Sequence, residues 1–531
     1  MSGGETRYRP DGTATPLAWR WIALETLFVF TACAFFFWFA LSPDDRVLEG
    51  DTLFHFKMAR LILEHGPWVS IDNLPYTVLG THGTDQQWLY HVLVAPLTLI
   101  GSQPVDVSIV AVLIAAAMTA AFVPTLRRNL IPFAPVICIL MVVSSRLLPH
   151  RYLSLRAQDF ALPLMVAMMF VIVARKRWWA AIGAFVFMQG YHAAVILGMM
   201  VVVTVAVDKL RGEKPDWKTL LAVFYGGSLG LILSPWFPDN VRYLLFHTVF
   251  KVAQAEGADS GLIGTEWFKP SWTFLLVESW QANLLYFGMM ATAGWLAWRK
   301  RMRWSTVAIV SCVATLVFLL MYRFQGWRFS EYYGPFAVLS AAILWRDIAV
   351  AAPAERQRAV LYYPAFAVAL LAGVLMYFAV YITSGMPKMA VNRYREQMAY
   401  VEAHDPQPMV FNSQWEDYVT LFYHSRNAKF VAGLDGHFLK LGDPERFRAW
   451  YSIIRGGMRN SPAMAATMHD LFNARWAVVA AGETGFAAAL YHDRNARLVV
   501  ANADGWLFEL KSDGAEWPEA GHPSVGGDPA R

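Results

Sequence analysis

Residues 49–68 read EGDTLFHFKMARLILEHGPW and directly follow a strongly apolar segment at 21–41. The stretch begins with two acids around a glycine and continues with the period of a short amphipathic helix. It therefore places a carboxylate, that of Asp51, at the start of a surface helix just after an apolar segment. An apolar segment of this length is long enough to cross a bilayer, so the junction indicates a membrane protein with polar chemistry just outside its first span.

The composition supports a polytopic α-helical membrane protein. The chain has 531 residues, of which 56% are hydrophobic, 15% aromatic and only 16% charged, well below the usual quarter for charged residues. All cysteines lie in apolar runs, which argues against disulfides and a cysteine metal site: Cys33, Cys138 and Cys312. Arginines precede the first apolar segment and no A-x-A cleavage site follows it, so it is predicted to remain as a helix.

Apolar segments predict about eleven transmembrane helices. They lie near 21–41, 106–125, 130–147, 160–174, 178–190, 193–209, 219–236, 276–298, 304–322, 334–345 and 361–383. Every short basic loop falls on one side if the N-terminus is cytoplasmic, as the positive-inside rule requires. This orientation needs residues 88–101 to form a juxtamembrane or re-entrant segment.

The predicted orientation leaves four parts of the chain outside: loops at 42–105, 148–159 and 237–275, and the C-terminal part from about 385. The composition of that last part changes to mixed polar, and it contains β-like runs at 408–414 and 496–510. Residues 385–512 are therefore predicted to form a small extracytoplasmic α/β domain, followed by a disordered tail at 513–531.

Polar chemistry is concentrated outside the spans. The spans at 160–174, 193–207 and 361–383 contain no charged residue, and Glu25 is the clearest exception elsewhere. A secondary transporter usually carries ionisable residues within its spans and pairs of interrupted helices. The pattern favours an enzyme that works at the outer face of the membrane.

Three acids from separate outer loops are the candidate catalytic residues. Asp51 lies in the first loop, Asp159 at the end of the second and Glu266 in the third. Three converging carboxylates can bind Mg²⁺ or Mn²⁺, and without a metal one of them can act as a general base. Arginines on the same face suit phosphate and point to an anionic substrate: Arg146, Arg151, Arg156, Arg323 and Arg328.

Five segments, in this order, resemble motifs of the integral-membrane GT-C glycosyltransferases, and most closely of the catalytic subunit of oligosaccharyltransferases. The resemblance is that of a divergent bacterial relative. The segments are GDTLFHFKMARLIL (50–63), LRAQDFALPL (155–164), GTEWFKP (264–270), GWRFSEYYGP (326–335) and FNSQWEDYVTLFYHSRNAKFVAGLDG (411–436).

The resemblance implies a GT-C-like transmembrane catalytic domain over 1–384 and a polyprenyl phosphate or pyrophosphate sugar donor, with transfer that inverts the anomeric carbon. Asp51 would activate or orient the acceptor, and Asp159 and Glu266 would help it hold a divalent metal. Arg328 would bind the donor phosphate. Further donor contacts are expected from Arg156, Arg151 and His150, and acceptor contacts from Trp415, Asp417 and Tyr418.

The last motif departs from the family pattern. Glu416 stands where the family has a second tryptophan and Val419 where it has a glycine, so an Asn-x-Ser/Thr peptide is not specifically implied. The second loop also carries one aspartate instead of an Asp-x-Asp pair. The expected acceptor is thus a glycan, a lipid or a protein, and no nucleic acid is expected. The implied location is the bacterial inner membrane, with the C-terminal domain in the periplasm and the amphipathic helix after Asp51 in the headgroup layer.

Structural alternatives stand beside each of these roles. Asp51 and Asp159 are both residue types that cap helices. Glu266 fits an ordinary interfacial loop, and Arg328 fits an arginine that reaches lipid headgroups from a helix end. Trp415, Asp417 and Tyr418 fit buried supports of the C-terminal domain.

Alternative functions differ in what they require of these residues. A metal-independent lipid A or cell-wall sugar transferase needs Asp51 but no metal, and a surface-polysaccharide polymerase or ligase uses the same donor class. A lipid or polysaccharide transporter with an extracytoplasmic domain needs a continuous polar path through the helices. A scaffold subunit of an envelope-glycan complex needs no convergence of the carboxylates.

Overall fold

Helices make up most of the computed structural model, as expected for an α-helical membrane protein. Among the residues it describes, five helices are long and apolar enough to cross a membrane: Trp19–Leu41, Pro104–Arg128, Thr306–Gln325, Trp327–Ala351 and Ala354–Ser384. Each overlaps a predicted span, whereas the count of eleven stays a prediction. The described residues are 19–101 (without the side chains of 81 and 82), 103–191, 195–245, 264, 267–459, 461 and 463–517.

The chain divides into two compact units. Unit 1 contains Met1–Leu48, Gln86–Ser234 and Glu266–Lys388, and unit 2 contains Glu49–Asp85, Pro235–Thr265 and Met389–Arg531. The start of the C-terminal segment of unit 2 lies close to the boundary predicted at 384/385. Unit 2 also takes in much of the first and third predicted outer loops, so Asp51 belongs to the same unit as the C-terminal part of the chain.

Unit 1 is a helical assembly. A two-residue strand, Arg46–Val47, precedes its second segment. Its α-helices are Trp19–Leu41, Trp88–Val94, Pro104–Ala120, Phe122–Arg128, Ala134–Val142, Leu148–Tyr152, Ala157–Val173, Arg177–Gly190, Val195–Leu210, Trp217–Ile232, Trp272–Glu278, Trp280–Trp298, Thr306–Gln325, Ser330–Ala351 and Ala354–Ser384, and its 3₁₀ helices are Ala95–Ile100 and Trp327–Phe329.

Polar side chains inside unit 1 join its helices. Thr315 donates to the carbonyl of Phe336 at 3.0 Å and lies 2.9 Å from the Ser340 hydroxyl, which links Thr306–Gln325 to Ser330–Ala351. Small polar residues of this kind are typical of contacts between membrane helices. Glu25, the acid inside the first span, forms two 2.5 Å hydrogen bonds with the Arg127 guanidinium and is therefore a paired, structural charge.

Unit 2 combines helices with a five-stranded sheet. Its helices are Gly50–His65, Val78–His82, Asp239–Leu245, Arg395–His404, Tyr418–His424, Gly436–Gly442, Pro444–Ile454, Met464–Phe472 and Thr484–Tyr491. The strand order in the sheet is Lys429–Phe430, Met409–Asn412, Trp476–Ala480, Gly505–Leu510, Ala496–Asn502, and a separate short strand is Met389–Ala390. The first three strands in this order are parallel, and the last two form antiparallel pairs.

The sheet of unit 2 is covered by apolar side chains from its helices. Phe411, Phe472 and Phe508 lie in one buried cluster with Trp450, whose ring nitrogen donates to the carbonyl of Asn412 at 3.3 Å. The helix that carries Trp450 starts after Asp443, whose carboxylate accepts from a backbone N–H of the first turn, as an N-cap does. Both runs with β-like character, 408–414 and 496–510, contain strands of this sheet.

Candidate functional site

Four charged side chains are buried together in unit 1. Arg151, Arg156, Asp159 and Glu331 are 3%, 6%, 4% and 5% exposed. The Arg151 Nε donates to the Glu331 carboxylate, and one guanidinium nitrogen of Arg156 lies 4.0 Å from the same carboxylate. Buried charges cost a large free energy unless they are paired, so the contacts with Glu331 constrain both arginines.

Arg328 lies three residues before Glu331, in the 3₁₀ turn Trp327–Phe329. It is half-buried, and its guanidinium carbon lies 4.4 Å from the centre of the Trp267 ring. The Arg151 guanidinium lies 5.0 Å from the centre of the Trp327 ring. The turn that carries Arg328 is thus in contact with an arginine predicted to bind the same phosphate.

The basic second-loop segment is fixed by a glutamate that the sequence analysis did not select. Glu278 is buried, and its carboxylate accepts from the backbone N–H of Leu147 at 2.6 Å, just before the helix Leu148–Tyr152. His150, half-buried, and Arg151 both lie on this short helix. Glu278 therefore holds the start of the segment that presents these two predicted donor contacts.

The predicted carboxylates have different structural settings. Asp159 is in the first turn of Ala157–Val173, where the N-cap residue is Arg156, and Asp51 is the second residue of Gly50–His65, where it is Glu49. Neither aspartate is thus the N-cap residue. The Oδ2 atom of Asp159 is buried and has no hydrogen-bond partner among the described residues.

The metal site stays a prediction. Within the described part of the chain there is no group of three or more His, Cys, Asp or Glu side chains that could hold a metal ion. Glu266 lies outside the described residues, and Asp51 and Asp159 belong to different units. The buried Oδ2 of Asp159 is the one feature of the described site that fits a cation, since Mg²⁺ and Mn²⁺ prefer carboxylate oxygens.

In unit 2, the helix that carries Asp51 packs on the helix Tyr418–His424. A Cβ on Gly50 would lie 2.4 Å from Val419 Cγ2, so a larger residue at this position would require the two helices or the Val419 side chain to shift. Further along, the rings of Phe54 and Phe422 lie 6.0 Å apart, and Lys57 donates to the Ser425 carbonyl at 2.9 Å. The Asp51 helix is therefore positioned at its start by Val419, in the last of the resembling segments, and further along by the residues that follow Val419.

The sequence suggested that the apolar face of the helix Gly50–His65 lies in the lipid headgroup layer, and the structure differs. Its side chains are buried within the protein, including Leu53, Phe56 and Met58. An amphipathic pattern indicates that one face of a helix is buried, but it does not indicate whether lipid or protein buries it. Here, packing on the helix Tyr418–His424 contributes to the burial.

All three predicted acceptor-binding side chains are buried in unit 2. Trp415 belongs to the apolar cluster under the sheet. Tyr418 donates to Asn73 Oδ1 at 3.0 Å, and its ring stacks on Phe422 with centroids 5.5 Å apart. This geometry fits supports of the helix Tyr418–His424, the structural alternative, and their contact with an acceptor stays a prediction.

Asp417 is held in a polar network of its own. Its carboxylate accepts from the Tyr394 hydroxyl at 2.9 Å and lies 3.2 Å from the Arg393 guanidinium. Burial raises the pKa of Asp417 to about 6, against the opposing effects of Arg393 and Tyr394. Glu416 is the exposed side chain of the motif.

Two loops of unit 2 leave the carboxyl ends of neighbouring parallel strands. Residues 413–417 follow Met409–Asn412, and 481–483 follow Trp476–Ala480. Gln414 in the first loop donates to Glu483 in the second. Met409–Asn412 lies between Lys429–Phe430 and Trp476–Ala480, so the chain continues from it to a strand on one side and later to a strand on the other. The carboxyl edge of these strands is therefore a topological switch point, where open sheets of this kind bind ligands.

No protein-family model matches the sequence, and no curated protein does. Solved structures of three kinds of membrane enzyme share the fold. The Archaeoglobus fulgidus oligosaccharyltransferase in its apo form has a TM-score of 0.55 and 13% identity, over 92% of this chain and 75% of that chain. ArnT from Cupriavidus metallidurans has a TM-score of 0.53 and 15% identity, over 92% and 98%. The mycobacterial arabinofuranosyltransferase AftD has a TM-score of 0.56 and 12% identity, over 94% and 40%.

These similarities confirm the predicted resemblance to GT-C glycosyltransferases at the level of the fold. A further structure of the Archaeoglobus fulgidus protein, with a TM-score of 0.56 and 12% identity over 94% of this chain and 75% of that chain, contains an inhibitory peptide and a dolichol-phosphate. At sequence identities of 12–15%, these similarities show the fold alone. The donor, the acceptor and the roles of residues depend on the side chains of this protein.

Proposed function

We propose that the chain is a membrane glycosyltransferase that moves a sugar or glycan from a polyprenyl phosphate or pyrophosphate donor to an acceptor at the outer face of the bacterial inner membrane, with inversion. The observation that carries the proposal is the charge cluster of unit 1, in a fold shared with membrane glycosyltransferases. The N-terminus would be cytoplasmic and the C-terminal part of unit 2 periplasmic.

The charges of the cluster suit an anionic donor. Arg151 and Arg156 are buried with Glu331, and Arg328 lies in the turn that Arg151 contacts. A donor phosphate would accept charge-assisted hydrogen bonds from a guanidinium group placed there. Arg328 is the best placed of these to bind it, because it is half-buried and the Trp267 ring holds its guanidinium plane. Arg156 and His150 would contact the donor beside it.

Asp51 is proposed to act on the acceptor. Its carboxylate would accept a proton from, or orient, the acceptor hydroxyl or amide as that group attacks the anomeric carbon from the face opposite the phosphate. The departing phosphate would gain negative charge, which the Arg328 guanidinium would stabilise. The Gly50 contact with Val419 fixes the helix start from which Asp51 projects.

A divalent metal, Mg²⁺ or Mn²⁺, remains part of the proposal. Asp51, Asp159 and Glu266 would hold it, and it would supply positive charge next to the leaving phosphate. Asp159 fits this role through its buried Oδ2.

The acceptor would be a glycan, a lipid or a protein. Its site is proposed at the carboxyl edge of the parallel strands in unit 2, where Gln414, Glu416 and Glu483 offer polar atoms. Trp415, Asp417 and Tyr418 would support the loop at this edge through their buried contacts with the rest of unit 2.

The test is glycan transfer by purified, detergent-solubilised protein supplied with a polyprenyl-linked sugar pool. We expect Asp51→Asn to lower the rate at least about 100-fold, the range typical for loss of a general base. Glu64→Gln is the matched control, since Glu64 is an exposed acid at the other end of the same helix and pairs with Arg60.

Addition of EDTA followed by Mn²⁺ separates the two mechanisms. Loss with EDTA and rescue by Mn²⁺ would support the three-carboxylate metal site. Activity that survives EDTA and still needs Asp51 would leave Asp51 as a base without a metal. Transfer at the native rate by a folded Asp51→Asn variant would contradict the proposed role of Asp51.

A further inference from the structure

Arg151 contacts two residues that flank Arg328 in the sequence. Its Nε donates to the carboxylate of Glu331, and its guanidinium lies over the ring of Trp327, 5.0 Å from the ring centre. These contacts reach the residue before Arg328 and the third residue after it. One buried side chain from the second loop thus joins the 3₁₀ turn to the first turn of the helix Ser330–Ala351.

A second segment holds the other side of the same turn. The backbone N–H of Trp327 donates to the carbonyl of Phe268 at 3.2 Å, and the neighbouring Trp267 ring lies under Arg328. The turn also has the N–H of Phe329 bonded to the carbonyl of Gly326 at 3.3 Å. Phe268 therefore holds the backbone of this turn, and Arg151 holds the side chains of Trp327 and Glu331.

Given the polyprenyl phosphate donor proposed above, on which this rests, we infer that Arg151, Glu331 and Trp327 form a clamp that positions Arg328 for the donor phosphate. Arg151 is a positioning residue and does not itself bind the phosphate. Arg151 is 3% exposed, its Nε–H edge is engaged by a carboxylate, and its guanidinium lies over an indole ring. A charge-assisted hydrogen bond between buried partners has the strength to hold such a turn.

The clamp makes a prediction that separates it from two simpler roles. Arg151→Gln removes a positive charge and Glu331→Gln removes a negative one. If the cluster acted only through its net charge, these substitutions would change phosphate affinity in opposite directions. If Arg151 bound the phosphate itself, Arg151→Gln would weaken binding further on an Arg328→Gln background. A clamp that acts through Arg328 requires both charge substitutions to weaken binding, and neither to add to the effect of Arg328→Gln.

The experiment measures binding of geranylgeranyl phosphate to the purified full-length protein in detergent, with geranylgeraniol as the same lipid without the phosphate. The ratio of the two affinities reports recognition of the phosphate and is insensitive to a general loss of lipid binding. We expect Arg151→Gln and Glu331→Gln each to lower this ratio about tenfold, the equivalent of one charge-assisted hydrogen bond. The double variant should lower it no further than either single one, because both remove the charge from the same hydrogen bond.

Trp327→Leu keeps every charge in place and tests the clamp if the charge variants fold poorly. It should lower the ratio about threefold, as expected for loss of a cation–π contact. Glu509→Gln is the matched control, because Glu509 is a buried glutamate in unit 2 that also binds two arginines, Arg475 and Arg497. It should leave the ratio unchanged.

Opposite shifts in the two charge variants, a loss confined to Arg151→Gln, or a native ratio in folded Trp327→Leu would each overturn the clamp. These outcomes leave the proposed function standing. If the native protein binds the phosphate and the alcohol equally well, the proposed donor, and the clamp with it, is wrong.

Discussion

Two buried glutamates, one in each unit, bind two arginines apiece, and their arginines differ in exposure. Glu509 joins Arg475 and Arg497 across the sheet of unit 2, where the arginine side chains are 41% and 25% exposed. Glu331 joins Arg151 and Arg156, whose side chains are only 4% and 7% exposed. The partners of Glu509 keep much of their hydration, whereas those of Glu331 do not.

The difference in arginine exposure indicates that the two ion-pair networks have different roles. Arg497 is the sheet partner of Glu509 on the adjacent strand, so that pair follows from strand register and supports the hairpin. The partners of Glu331 come from a loop 180 and 175 positions earlier, and their burial carries a large desolvation cost. A chain keeps such a costly arrangement inside a helical assembly when the side chains do something besides stabilise it, which here we propose is the presentation of Arg328.

Truncation of each glutamate to alanine should give the largest difference between the two regions. Glu331→Ala leaves two buried guanidinium groups without their carboxylate and should destabilise the protein by about 3–5 kcal/mol. Glu509→Ala leaves arginines that water can reach and should cost about 1 kcal/mol. Thermal unfolding of the full chain in detergent measures both. Equal losses would show that the two networks serve the same structural purpose.

The second prediction concerns size instead of charge. Gly50→Ala places a methyl group 2.4 Å from Val419 Cγ2 and should destabilise the protein by about 1–3 kcal/mol as the two helices separate. Glycan transfer should fall with it, because Asp51 is the next residue.

Val419→Ala on the Gly50→Ala background should restore transfer and recover part of the stability, since it removes the clashing Cγ2 methyl together with the buried Cγ1 methyl. Gly373→Ala, in the helix Ala354–Ser384, is the control, as no described atom lies within 4 Å of a Cβ at that position. A Gly50→Ala variant as stable as the native protein would mean that the two helices adjust without cost, and that this contact does not fix Asp51.

Much of the fold follows from local sequence patterns. Each of the five membrane-length helices overlaps an apolar run visible in the sequence, and the run at 496–510 contains the hairpin of the sheet. The composition of unit 2 could not be predicted in the same way. Gly50 and Val419 are in contact although most of the sequence separates them. Neither residue type indicates a contact with a distant part of the chain.

The sequence was sufficient to predict several single residues of the candidate site, but not the contacts between them. Arg151, Arg156 and Asp159 were selected by type and loop, and the structure brings them together. Glu331 was overlooked although the GWRFSEYYGP segment contains it, because an acid in a helix gives no sign of which arginines it will meet. For the motif residues the sequence left two roles open, acceptor contacts and buried supports, and Tyr418 is fully buried.

The smallest expected effect is a pH dependence from Asp417, and it has the opposite sign to that of Glu509. Burial raises the pKa of Asp417 to about 6, above its value of ~4 in an unfolded chain. The folded state therefore binds the proton more tightly, so this contribution to stability is present below about pH 4 and is lost as the pH rises through about 6. For Glu509, burial raises the pKa, but hydrogen bonds from Arg497 and Arg475 outweigh it and lower the pKa, so its contribution is lost as the pH falls.

Unfolding of the native protein and of Asp417→Asn, compared between pH 5 and pH 7, isolates the aspartate. The native protein should lose about 1 kcal/mol relative to the variant over this range. The amide that replaces the carboxyl group in this variant can still accept from the Tyr394 hydroxyl but does not titrate, so a difference that stays constant with pH would show that Asp417 is ionised throughout. In that case Arg393 dominates over burial, and Asp417 would resemble Glu509: a carboxylate held charged by its arginine.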